Sequence, residues 1–146
     1  MNRLKKLLDR IFRREDINGD GRCPAYLYRW TLLALPQFKV YLHKFVAEDW
    51  SKDMHDHPKR FVTIGLWGQY IECTPNGSRV FLAPWIRTFS ATHVHRIELI
   101  NDEPCWTLAI VFKSVRSWGF WVNNAWVNWR DYVGSKRADE MKSCDD

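Results

Sequence analysis

The chain has 146 residues, 46% of them hydrophobic and 15% aromatic, with a formal net charge of +5. That length suits a single domain able to bury a substantial core without disulfide staples. No apolar run approaches the roughly 20 residues of a membrane helix, and the amino terminus lacks the apolar stretch and cleavage site of a secretory signal.

The four cysteines, Cys23, Cys73, Cys105 and Cys144, are far apart and form no CxxC, which argues against a zinc knuckle or a disulfide framework. A cytoplasmic protein without a membrane span is therefore expected. The positive charge is concentrated in Arg3, Lys5, Lys6, Arg10, Arg13 and Arg14, opposed only by Asp9, while the rest of the chain is balanced. Charge gathered on one terminal segment reads as the solvated face of a helix, so no nucleic-acid partner is expected.

In chain order, Leu4, Leu7, Leu8, Ile11 and Phe12 recur at helical spacing with the basic residues opposite, which predicts an amphipathic helix over residues 1–16 packed on the main body. The following Asp16-Ile17-Asn18-Gly19-Asp20-Gly21 imitates the start of a calcium loop. Leu27 stands where the bidentate glutamate would be, and strand-like sequence follows, so a Gly/Asp turn is expected.

A single β domain is expected over residues 26–133. Its strand-like runs cover residues 26–33, 38–46, 61–72, 80–89, 93–100 and 106–112, broken by Pro36, by Pro75-Asn76-Gly77 and by residues 101–104. Many short strands without intervening helices indicate an all-β sandwich or barrel. Trp118, Phe120 and Trp121 begin a last aromatic strand, Trp126, Trp129 and Val133 form a short C-terminal helical cap, and residues 134–146 read as a polar tail.

Chemistry is concentrated in the histidines. His55 and His57 lie two residues apart, and His93 and His95 repeat that spacing 38 residues later. On an extended segment an i, i+2 pair faces one way, so two distant strands can together present several imidazoles to one divalent ion. Regular alternation from His57 places Phe61, Thr63, Trp67 and Gln69 on the same face, a mostly aromatic pocket wall. Asp53 and Asp56 are candidates to accept the outer ring N–H groups of the ligands. Arg87, Tyr41 and His43 are candidates to anchor an anionic substrate or donate a proton.

These residues resemble the first motif of the cupin superfamily, G-x5-H-x-H-x3-E-x6-G. His55, His57 and Gly68 match it, while Asp49 replaces the leading glycine and Phe61 the glutamate. The second motif, G-x5-P-x-G-x2-H-x3-N, aligns its histidine with His95, and Ser90, Thr92 and Leu99 stand at its proline, glycine and asparagine positions. Over residues 38–120 the chain is most similar to small single-domain, RmlC-like cupins of bacteria and bacteriophages.

The resemblance implies a cupin-type double-stranded β-helix, or jelly-roll barrel, with a metal in its mouth. It implies His55, His57 and His95 as metal ligands, a set similar to that of three-histidine cupin dioxygenases. The expected protein is thus a metal-binding cupin, foremost a mononuclear non-haem iron dioxygenase acting on a small molecule. Fe(II) is favoured, with zinc, nickel or manganese as other divalent ions that suit the donors. A metal-dependent isomerase, epimerase or hydrolase, in which His93 or His43 moves protons, is the alternative, together with a non-catalytic binding module. Expected substrate contacts are Arg87, Gln69, Trp67 and Phe61, expected catalytic residues His93, His43 and Tyr41. A homodimer is left open.

Overall fold

The computed structural model describes residues 2–19 and 21–145. Helix α1 (Asn2–Ile11) leads into a series of antiparallel strands: β1 (Arg13–Ile17), β2 (Leu27–Ala34), β3 (Phe38–Phe45), β4 (Met54–His55), β5 (Lys59–Trp67), β6 (Gln69–Thr74), β7 (Gly77–Leu82), β8 (Trp85–Phe89), β9 (Arg96–Leu99), β10 (Cys105–Ser114), β11 (Gly119–Val122) and β12 (Ala125–Asn128). Two short helices follow, α2 (Trp129–Tyr132) and α3 (Lys136–Glu140).

A six-stranded sheet in the order β1-β2-β3-β10-β5-β8 forms one wall. Opposite it are two three-stranded sheets, β12-β11-β4 and β7-β6-β9. Long-range pairing dominates: β10, late in the chain, is inserted between β3 and β5 along most of its length. This is the all-β jelly roll expected, with helices only at its two ends.

Several boundaries differ from the periodicity. The helix stops at Ile11, and residues 13–17, assigned to it or to the turn after it, pair with β2 as an edge strand. Arg14 there reaches Asp9 and Asp16, so charged residues that continued the helical pattern serve an exposed strand instead. The helix is seated by Leu8 against Trp30 and Trp106, whose rings stack at 5.7 Å. Asp9 accepts the Trp30 indole N–H at 2.8 Å. Of the calcium-like turn, Asp20 lies outside the described residues, as do Met1 and Asp146 at the ends of the segments 1–16 and 134–146.

The run 61–72 divides at Gly68, whose φ is +85° and whose missing Cβ leaves room for the Pro104 carbonyl, which an added Cβ would approach to 2.6 Å. A bend there divides one long strand into β5, in the large sheet, and β6, in a three-stranded one. The run 80–89 likewise divides at Ala83-Pro84 into β7 and β8.

The segment 134–146, read as a polar tail, carries α3 and is fastened to the body. Ala138 is fully buried, Arg137 forks onto Asp53 at 2.6 and 2.8 Å, and backbone bonds join Met141 to Lys52 and Ser143 to Trp50. A disulfide joins Cys23 and Cys144, against the expectation of unpaired cysteines; Cys73 and Cys105 are free. The two partners are separated by 121 residues, a pairing created only when both chain ends meet on the same side of the fold. Among the described residues no helix is long and apolar enough to cross a membrane.

Candidate metal centre

Two extended segments bring the histidines together. Residues 55 and 95 exchange backbone hydrogen bonds in both directions, at 2.9 and 3.0 Å, and His57 donates its backbone N–H to the Ala91 carbonyl at 3.0 Å. Alternation then sets the direction of each side chain. His55 and His57 face inward, while Asp56 between them faces back and is 2% exposed. The Asp56 carboxylate accepts the Gly119 N–H at 2.8 Å, the Trp126 indole N–H at 3.0 Å and the Arg116 guanidinium at 2.7 Å. The HxH loop is pinned from behind by the residue that separates its two histidines.

One candidate ligand atom from each of His55, His57 and His95 lies within 4.8 Å of the others. The Nε2 atoms of His57 and His95 are only 2.9 Å apart. Burial pushes His55 down to about 4, with the neighbouring histidines adding to that and Asp49 opposing it. Burial, then His95 and His55, hold His57 well below the ordinary imidazole value. Both rings are therefore neutral near pH 7, the form in which imidazole donates a lone pair to a cation.

Carboxylates stand behind two of the three rings. His95 donates Nδ1–H to Glu72 Oε1 at 2.7 Å, which leaves Nε2 as its inward-facing donor atom. His55 Nδ1 faces Asp49 Oδ2 at 3.8 Å, and Asp49 is fixed by accepting the Ile97 N–H at 2.8 Å. A carboxylate behind a ligating imidazole fixes its tautomer and raises its basicity. Three convergent imidazole nitrogens, one ring already held from behind by a carboxylate, fit a divalent metal.

Glu72 accepts a ring N–H as the sequence suggested for Asp53 and Asp56, and Asp49 stands behind His55 without a direct hydrogen bond. Asp53 instead accepts from Tyr132 and Arg137, and Asp56 from the groups named above. The charge of Glu72 inside the otherwise apolar run Tyr70-Ile71-Glu72-Cys73 was the available signal. Only the pairing of β6 with β9 reveals which histidine it meets. Burial alone would raise the Glu72 pKa, but hydrogen bonds from His93, His95 and Arg87 outweigh it and hold the carboxyl well below the usual range. Glu72→Gln is expected to weaken metal retention by about 10–100-fold, read by competition against a chelator, while far-ultraviolet circular dichroism stays unchanged.

The other expected site residues divide by position. Phe61 packs its ring on His57 at 4.9 Å and stacks on Phe89 at 4.7 Å, and it lines a cavity of about 470 Å³ together with Tyr41, His43 and the three histidines. Such a volume falls in the range of small-molecule sites. His43 accepts a hydrogen bond from Arg29 Nε at 3.1 Å and lies parallel to Tyr41 at 5.9 Å.

Trp67 and Gln69 do not line this cavity: the register slips between Gly65 and Trp67, ahead of the bend at Gly68, and Trp67, at the strand end, is 57% exposed. Arg87 pairs with Glu72 at 2.6 Å and opens, with His93, onto a separate surface depression. His93 lies in the turn before β9 instead of on a strand with His95, and its Nε2 meets Glu72 Oε1 at 2.8 Å.

Neither a family model nor a curated protein matches the sequence. Solved structures do. The chain is similar to a polyketide cyclase from Streptomyces resistomycificus (TM-score 0.62, 9% identity, covering 90% of this chain and 94% of that one). It is also similar to a sugar phosphate isomerase of the cupin superfamily from Silicibacter pomeroyi (TM-score 0.60, 13% identity, 77% and 78%). A third is an RmlC-like cupin from Ralstonia eutropha (TM-score 0.56, 14% identity, 82% and 76%). At these identities the likeness establishes the fold.

Proposed function

We infer that this chain, a cupin by its double-stranded β-helix, is a mononuclear metal enzyme that acts on a small molecule, with a three-histidine iron dioxygenase as the reading best supported. The observation that carries the metal is the convergence of His55, His57 and His95 on one point of a deep cavity. With iron(II) bound, such a site supplies redox chemistry with dioxygen, since three neutral protein ligands leave further positions open.

The chain's own part is positioning and exclusion. Glu72 and Asp49 orient His95 and His55, and Phe61, Phe89 and Trp118 wall the histidines with aromatic rings that keep water out. Two of the residues suited to proton transfer are otherwise engaged. The Nε2 lone pair of His43 is taken by Arg29, and His93 faces Glu72 on the outer depression. With His43 and His93 so engaged, chemistry carried by metal and oxidant suits the site better than an isomerisation that relies on either as its proton shuttle.

Elemental analysis of protein purified without a histidine tag, followed by oxygen-electrode measurements after iron(II) loading, tests this reading. Stoichiometric iron and oxygen consumption that depends on an added small organic acid are expected. Tightly held zinc with no oxygen uptake across such acids would sink the dioxygenase and leave a Lewis-acid enzyme in its place.

A further inference from the structure

Strand register places five residues in one transverse row of the large sheet. Arg29 on β2 pairs with His43 on β3, His43 with Thr107 on β10, Thr107 with Gly65 on β5, and Gly65 with Trp85 on β8. Arg29, His43, Thr107 and Trp85 all line the same cavity as the three histidines. The glycine gives the row its shape. A Cβ at Gly65 would lie 2.4 Å from Trp85 Nε1, so the indole lies across the gap at that position, over β5.

Two atoms of this row are buried without a partner. Neither Thr107 Oγ1, on a residue 2% exposed, nor Trp85 Nε1 has a hydrogen-bond partner. An unsatisfied buried polar atom costs about 1–3 kcal/mol, so two on residues lining one cavity call for a ligand that satisfies them. The third polar member is a cation without a counter-ion. Arg29 makes no ion pair among the described residues, while its Nε is held by His43 at 3.1 Å and its guanidinium lies 4.8 Å from the Tyr41 ring. His43 and Tyr41 thus preorganise an arginine whose terminal nitrogens are left to bind something else.

We propose that this row is a carboxylate-binding subsite, in which Arg29, Thr107 and Trp85 hold the carboxylate of a small, otherwise apolar substrate. That the substrate's other end reaches the His55, His57 and His95 centre rests on the functional reading above. The groups on offer are the five-donor guanidinium fork, an indole N–H and a hydroxyl free to donate, a set that matches an acceptor-only ligand. A single unpaired guanidinium balances the one charge of a carboxylate, and a phosphate monoester would leave charge buried and uncompensated. Phe45, Tyr70 and Phe89 on the same cavity suit an aromatic or unsaturated body.

Calorimetric titration of the full-length protein with benzoate, benzyl alcohol and phenyl phosphate tests the subsite, both metal-loaded and after chelation. Benzoate is expected to bind at least about tenfold more tightly than benzyl alcohol in both states. Arg29→Gln is expected to weaken benzoate by about 10–100-fold and Thr107→Val by about fivefold, with metal content unchanged. If Arg29→Gln fails to fold, Thr107→Val and Trp85→Phe, each close to isosteric, carry the test. The proposal is overturned by absence of benzoate binding, by equal binding of benzoate and its alcohol, by parent-like affinity in the folded variants, or by preference for phenyl phosphate. Loss of metal with benzoate binding intact would count against the centre and not against the row.

Discussion

Protein carrying His95→Ala is expected to come off purification with essentially no bound metal, where the parent carries one ion per chain. Structural zinc peptides with four ligands gain about 10–16 kcal/mol at neutral pH, so one ligand is worth roughly 3 kcal/mol, more than a hundredfold in affinity. The expected effect is large for a second reason. His95 is 4% exposed and is the proposed ligand held by Glu72, so its loss removes a donor and also frees the carboxylate that fixed it. His57→Ala is expected to behave alike, because its Nε2 lies 2.9 Å from that of His95. Elemental analysis of each variant after exhaustive dialysis makes the measurement. Full retention of metal by folded His95→Ala protein would remove the three-histidine centre.

The second large effect is expected at Asp56, and it separates stability from metal chemistry. Asp56→Ala strips three donors of their acceptor at once: Gly119 N–H, Trp126 indole N–H and Arg116. Breaking a buried ion pair from one side costs about 3–5 kcal/mol, and the lower end applies here because the Arg116 side chain is 31% exposed and regains water. A cost of about 3 kcal/mol lowers Tm by roughly 10 °C in a chain of this size. Differential scanning calorimetry at neutral pH reads the shift. The surviving folded protein keeps its metal stoichiometry, in contrast to Glu72→Gln, where affinity falls by more than stability does. A reversed pattern would return Asp56 to the role of outer partner to the ligands.

These contrasts mark what is legible in the sequence. Spacing of two between histidines fixes facing direction on extended chain, so the two pairs could be read from one dimension, while the choice of His95 over His93 came from the resemblance to the cupin motif. Strand runs could be read as well, because alternation and turn residues are local. The partners of the triad could not. Glu72 meets His95 only because β6 pairs with β9, and Asp49 meets His55 only because residues 49 and 97 are neighbours across the barrel. Arg29 and Thr107 sit in ordinary strand runs, and their common row follows from pairing β10 with β3 across more than 60 residues of sequence. The disulfide and α3 were missed for a related reason: a polar composition in the last residues says nothing about what those residues dock onto.

That docking makes the end of the chain a poor place to cut. The stretch from Asp49 to His57 carries one outer carboxylate and two of the proposed ligands. Its flank is held by backbone bonds from Met141 and Ser143 and by Arg137 forked onto Asp53. Carboxyl-terminal residues, where fusion tags and truncations are customarily placed, are here the latch on the ligand-bearing loop. Trimming the protein from that end amounts to editing its centre from a distance, whereas the exposed turn at Asn76 and Gly77 offers a point of attachment that touches neither.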